Sequence, residues 1–155
     1  MLLDERMSPG LMPNSTIRTQ TAERRQVAAL PWRRGRDGLE ILLVTSRETR
    51  RWVTPKGGRM VGLTDAESAA QEALEEAGVD GVLGNVPRGT FRYLKMRKRR
   101  APRWCVVAVY PLEVRVQHPT WHEQAERERA WMSAAEGAAR VSEPDLAEII
   151  RTYEP

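Results

Sequence analysis

The sequence predicts an α/β fold, a sandwich of helices around a mixed β-sheet (α/β/α). Three observations carry that expectation. Short apolar runs bounded by turn residues read as strands, one long stretch has helical periodicity, and strands and helices interleave along the chain. At 155 residues the chain suits one ordinary domain.

The elements follow in order. Residues 1–23 show no periodicity and contain Pro, Gly, Asn, Ser and Thr, so they read as a flexible N-terminal extension, with the domain over 24–155. "QVAALPW" (26–32) and "LEILLVTS" (39–46) read as two strands around the turn "RRGRDG". "RWVTPKGG" (51–58) reads as a loop, because Pro55 and the glycine pair interrupt regular structure. Thr64 and Glu67 form a T-x-x-E capping box that starts a helix. Ala66, Ala69, Ala70, Ala73, Leu74 and Ala77 make its apolar stripe, and Gly78 ends it. "GTFRYLKM" (89–96) and "WCVVAVYPLEV" (104–114) read as strands joined by the basic turn "RKRRAP". "TWHEQAERERAWMS" (120–133) reads as a polar loop leading into a short strand. Residues 133–141 and 143–153 read as helical, the second with Ser142 as its N-cap.

Composition narrows the function classes. The net charge of +4 favours anionic partners, phosphates above all. No apolar run approaches the roughly 20 residues that span a bilayer, and no membrane partner is expected. The start of the chain does not read as a secretory signal. Cys105 is the only cysteine, which rules out an internal disulfide and suits a reducing cytoplasm. It reads as a buried strand residue. His118 and His122 lack the partners a zinc site requires. The five tryptophans read as core or pocket wall, with Trp52 the best placed to touch a ligand.

The predicted helix poses the functional question. At 100° per residue, Glu72, Glu75 and Glu76 span an arc of roughly 100°, pointing away from the alanine stripe. Like charges at this spacing repel by roughly 0.2–0.5 kcal/mol per pair. Either the face is solvated, or a divalent cation sits against it. Mg²⁺ takes one or two carboxylates together with phosphate oxygens and water.

The stretch from Gly57 to Val79, "GGRMVGLTDAESAAQEALEEAGV", resembles the Nudix box, the signature of hydrolases of nucleoside diphosphates linked to another moiety. Gly57 opens the pattern, and Glu72, Glu75, Glu76, Gly78 and Val79 fall in register. Two positions depart: Leu63 stands where the family has its first glutamate, and Gln71 where it has arginine. "ILLVTSRETRRWVTPKGG", "FRYLK" and "TWHEQAERERAWM" look like the diphosphoinositol polyphosphate and diadenosine polyphosphate hydrolase branch.

The resemblance implies a metal-dependent pyrophosphohydrolase on the α/β/α Nudix fold. Glu72, Glu76 and the Lys56 backbone carbonyl would ligate Mg²⁺ or Mn²⁺, Glu75 would be the general base, and Glu123 or Glu126 could add a contact. It also implies that Arg24, Arg25, Ser46, Arg47, Lys95, Arg97, Lys98 and Arg127 line a polyphosphate pocket. Arginine's planar fork suits phosphate. The other reading of the basic turn at 97–100 is a solvated, solubilising tip. For the whole chain, Leu63 and Gln71 leave open a domain that kept the fold, lost catalysis and binds a phosphorylated ligand or RNA. A plain nucleic-acid-binding protein is the third and weakest reading.

Overall fold

The computed structural model describes residues 23–155, so all but the last residue of the predicted extension lies outside the described residues. Strands β1 (Arg24–Gly35) and β2 (Gly38–Thr45) form an antiparallel hairpin with Gly35 opposite Gly38. Gly38 has φ 121°, a conformation that side-chain-bearing residues avoid.

The segment expected to be a loop contains two short strands. β3 (Trp52–Val53) pairs with β2, and β4 (Lys56–Gly58) pairs with β1. Pro55 interrupts without abolishing the ladder, because its carbonyl still accepts from Ala29 N–H at 3.0 Å.

Helix α1 (Asp65–Ala77) starts at the predicted capping box. Glu67 N–H donates to Thr64 Oγ1 at 3.1 Å, and Thr64 N–H donates to Glu67 Oε2 at 2.8 Å. It stops at Gly78, which has φ 64°. β5 (Val79–Leu83) follows directly and was not expected, since "VDGVL" carries Asp and Gly that strands disfavour. It pairs with β7 through a register shift between Asp80 and Gly81. β6 (Thr90–Arg97) and β7 (Arg100–Gln117) make the predicted hairpin with the basic tip.

β8 (Arg129–Ser133), α2 (Ala134–Arg140) and α3 (Pro144–Thr152) complete the chain. Ser142 does not cap α3. Glu143 holds the N-cap position without a side-chain cap bond, and Pro144 supplies the first-turn φ instead. Ser133 is the capping serine, accepting from Glu136 N–H at 3.1 Å in α2.

The strands form one 8-stranded sheet in which β3, β2, β1, β7 and β5 are successive neighbours. β4 adds to β1, β6 to β7 and β8 to β2. The β1–β7 pairing is parallel and the others are antiparallel, so the sheet is mixed as expected. The alternation along β1 sends side chains to two cores. Val27 and Ala29 pack with the alanine stripe of α1 on one face, while Ala28, Leu30 and Trp32 pack with residues of α2 and α3 on the other. Cys105 is buried, as predicted. Trp104, by contrast, is exposed.

Candidate active site

The end of α1 is fixed by the segment between β7 and β8. A helix leaves its last carbonyls without internal partners. Here Glu75 O accepts from Glu123 N–H at 3.1 Å and Gly78 O from His118 N–H at 2.8 Å. Glu76 O accepts from the Trp121 indole N–H at 3.0 Å, and Ala77 O from Arg129 Nη1 at 2.8 Å. The Arg129 guanidinium also lies 3.8 Å from the Trp121 ring centre. The polar loop read from the sequence is therefore the cap of the glutamate helix.

Each glutamate has its own surroundings. The Glu72 carboxylate lies against Gly57, at the place a β-carbon there would occupy. Gln71 Nε2 donates to Glu75 Oε1 at 3.0 Å. Glu76 is buried, with Oε2 accepting from Lys56 N–H at 3.1 Å and Oε1 paired with Arg127 Nη2 at 3.1 Å. Burial pushes the Glu76 carboxyl up to about 7, opposed by Arg127 and the Lys56 N–H. Burial also raises Glu72, helped by the neighbouring charges of Glu75 and Glu123.

Sequence reasoning assigns Lys56 only a backbone carbonyl role, but the structure also sets its side chain beside the glutamates. The ammonium lies 4.6 Å from the Tyr93 ring centre, and Tyr93 OH donates to Gln26 Oε1 at 2.7 Å. Burial lowers its pKa, partly offset by Glu76 and Glu143 and reinforced by Arg127 and Lys95. Glu143 is buried too, with Oε2 lacking a hydrogen-bond partner. A lone charged side chain in a strand-and-loop segment gives no periodic signal, so neither residue stood out.

The expected phosphate-binding residues separate into groups. Arg24 and Arg25 are adjacent in β1 and project to opposite faces of the sheet, so they cannot share a wall. Arg24 is the one beside β4, its Nη2 3.3 Å from where a Gly58 β-carbon would stand. Lys95 lies close enough to Lys56 to act on its charge. Arg97 Nε is turned back onto Ala101 O at 2.9 Å. Lys98 is exposed, 4.0 Å from Glu48. Ser46 Oγ accepts from Arg51 N–H at 3.0 Å. Arg47 pairs with Glu123 at 3.6 Å and Glu126 at 3.7 Å. Arg127, expected on a pocket wall, lies under the carboxylates with its side chain 8% exposed.

These residues fit a divalent cation. The three α1 acids do not meet at one point, and no group of three acid, imidazole or thiol side chains closes on one point among the described residues. Glu75 also lines a cavity of about 420 Å³ with Gln71, Leu74, His118, Thr120, Trp121 and His122. Mg²⁺ does not require such a cage, since it retains waters and takes one or two carboxylates. Glu72 and Glu76, one turn apart, would supply those oxygens, and the missing side chain at Gly57 gives Glu72 its place. Burial raises both carboxyls, and neighbouring acid charge adds to the shift of each.

Comparison with known proteins agrees with this architecture. The NUDIX domain model matches residues 22–153. Diphosphoinositol polyphosphate phosphohydrolase 3-beta of Homo sapiens is 33% identical over 133 residues, covering 83% of this chain and 76% of that protein. Nudix hydrolase 13, mitochondrial, of Arabidopsis thaliana is 33% identical over 103 residues, covering 63% of this chain; the match spans about half the plant protein, 51% of its length. A C. elegans Ap4A hydrolase binary complex superposes with a TM-score of 0.62 at 18% identity, over 82% of this chain and 92% of that one. The NUDIX domain of Shewanella oneidensis NrtR, complexed with ADP ribose, gives a TM-score of 0.62 at 18% identity, over 89% and 92%. With the family model covering nearly the whole described chain, the protein belongs to the NUDIX domain family.

Proposed function

We propose that this domain is a metal-dependent pyrophosphohydrolase that cleaves a phosphoanhydride bond in a highly phosphorylated small molecule. The substrate is of the diphosphoinositol polyphosphate or diadenosine polyphosphate type. One observation carries the reading: a half-buried lysine stands beside the carboxylate helix, with Glu76 reaching the Lys56 backbone N–H at 3.1 Å. A burial-destabilised ammonium with another cation, Lys95, nearby gains from an anion placed against it. The names of similar proteins point the same way. One is a phosphohydrolase of diphosphoinositol polyphosphates, and one structural relative is an Ap4A hydrolase. The NrtR domain shows that the fold receives a phosphorylated nucleotide-like ligand.

Glu72, Glu76 and the Lys56 carbonyl would hold Mg²⁺ or Mn²⁺. When bound, the ion would polarise a phosphoryl oxygen and lower the cost of activating water. Glu75 takes the proton from the attacking water. Its Oε1 is held by Gln71, which leaves Oε2 to accept. The water oxygen bonds to phosphorus, the bridging P–O bond breaks, and a phosphate leaves. Lys56, Lys95 and Arg24 orient the polyphosphate, while Lys98 meets only its outer end.

The reading in which catalysis is lost rests on Gln71, an uncharged residue where the family carries arginine, and on Leu63. A panel of diadenosine polyphosphates and diphosphoinositol compounds, incubated with Mg²⁺ or Mn²⁺, separates the two. Metal-dependent release of nucleotide or phosphate supports the hydrolase. Tight binding without products establishes the binder and refutes the hydrolase.

A further inference from the structure

The carboxylate helix lacks a cation at position 71, yet one of its buried acids is not without a cation. Arg127 comes from the loop before β8, far away in sequence. Its Nη2 lies 3.1 Å from Glu76 Oε1 and 3.5 Å from Glu123 Oε1, and its Nη1 donates to Thr45 O at 3.0 Å. One guanidinium thus ties the helix, the capping loop and the end of β2 together. Its side chain and that of Glu76 are each 8% exposed. Gln71, by contrast, reaches only Glu75, through a neutral amide.

We propose that Arg127, from the β7–β8 loop, acts as the positioning residue that aims Glu76 at the metal. The inference rests on the hydrolase reading above and deepens it. Three features support this. The arginine is too buried to meet substrate freely. Its fork is divided between two carboxylates and a backbone carbonyl, which fixes its plane. Glu76 receives two directed hydrogen bonds, from Arg127 and from the Lys56 N–H, both onto its carboxylate. Such outer contacts orient metal-ligating carboxylates, and their loss typically weakens metal affinity about 10- to 100-fold.

Two physical effects of removing Arg127 have opposite signs. Losing a positive charge beside the site favours cation uptake, whereas losing the orientation of Glu76 disfavours it. The proposal requires orientation to win. The test is Mn²⁺ binding without substrate, followed by electron paramagnetic resonance of the free ion, on wild type, Arg127→Ala and Arg127→Lys. Expected is a loss of about 10- to 100-fold for Arg127→Ala. Arg127→Lys keeps the charge but cannot fork, so its binding is expected to weaken too. A merely structural arginine would lower the melting temperature and leave the Mn²⁺ affinity of the folded variants unchanged.

Unchanged or tighter Mn²⁺ binding by folded Arg127→Ala overturns the proposal. If Arg127→Ala does not fold, Arg127→Lys decides alone, and full wild-type affinity in it overturns the positioning role. Failure of the wild type itself to bind Mn²⁺ would instead sink the metal-dependent reading, and this inference with it.

Discussion

The indole N–H of Trp121 donates to the backbone carbonyl of Glu76 at 3.0 Å, so the residue that offers a carboxylate to the site is held at its main chain by an aromatic ring from another segment. The same ring bars the way at the next turn of the chain. A β-carbon on Gly78 would stand 2.7 Å from Trp121 Cβ, and Gly78 has φ 64°. Gly78→Ala is therefore expected to destabilise the fold by about 1–3 kcal/mol, through left-handed strain and displacement of the indole. Urea unfolding of the two proteins measures it, and equal midpoints would refute the clash.

Glu75→Gln should slow turnover roughly a hundredfold or more while leaving the melting temperature near wild type, because Glu75 is half-buried and bonded only to Gln71. Steady-state hydrolysis with saturating Mg²⁺ and substrate decides it. A rate within a few-fold of wild type would move the base elsewhere.

Gly57→Ala places a methyl where the Glu72 carboxylate rests. The expected outcome is a folded protein with metal affinity weakened about tenfold or more, since Glu72 must swing aside. Calorimetric titration with Mn²⁺ reads the change directly; an unaltered affinity would mean that Glu72 is not a ligand.

Stability without metal should depend on pH in a direction that Glu76 sets. Burial raises its carboxyl from 4.5 to about 7. Between those values the folded protein binds the proton that the unfolded chain has released, so stability is greatest below the lower value and declines as pH rises through the upper one. Glu72 is shifted in the same direction by burial. Replacing Glu76 with Gln should flatten the decline, which is worth roughly 3 kcal/mol at most. Denaturant melts in chelator from about pH 5 to about pH 8 test the slope; a wild type that gains stability over that range would contradict it.

Lys56→Met removes the half-buried lysine's ammonium while keeping the stem's bulk. KM for a polyphosphorylated substrate should rise about tenfold, with kcat changed less, as expected for loss of a charge-assisted hydrogen bond to phosphate. An unchanged KM would show that the substrate does not reach Lys56.

The fold and the carboxylate helix were legible because both are periodic and local. The Thr64–Glu67 box, the alanine stripe and Gly78 each state a physical requirement within a few residues, and α1 follows them. β5 escaped notice because its stability comes from pairing with β7, not from its own composition. β3 and β4 were hidden behind Pro55 for the same reason. In the site, spacing put the three glutamates on one helical face, and the resemblance to the Nudix box gave them a metal role. The partial burial of Lys56, the unpartnered oxygen of Glu143 and the turn of Arg127 beneath Glu76 arise from tertiary neighbours. Charge clustering likewise identified the basic tip but could not tell that Arg97 folds back onto Ala101.

The parallel pairing of β1 with β7, running from Arg24 opposite Cys105 to Trp32 opposite Glu113, has a consequence for biogenesis. Strand β1, the first among the described residues, cannot complete its central ladder until about eighty residues more have emerged from the ribosome. Throughout that interval a strongly apolar edge is exposed to other nascent chains. Production of this domain should therefore be limited less by its final stability than by how quickly β7 arrives, and slowing translation between the two strands should increase aggregation.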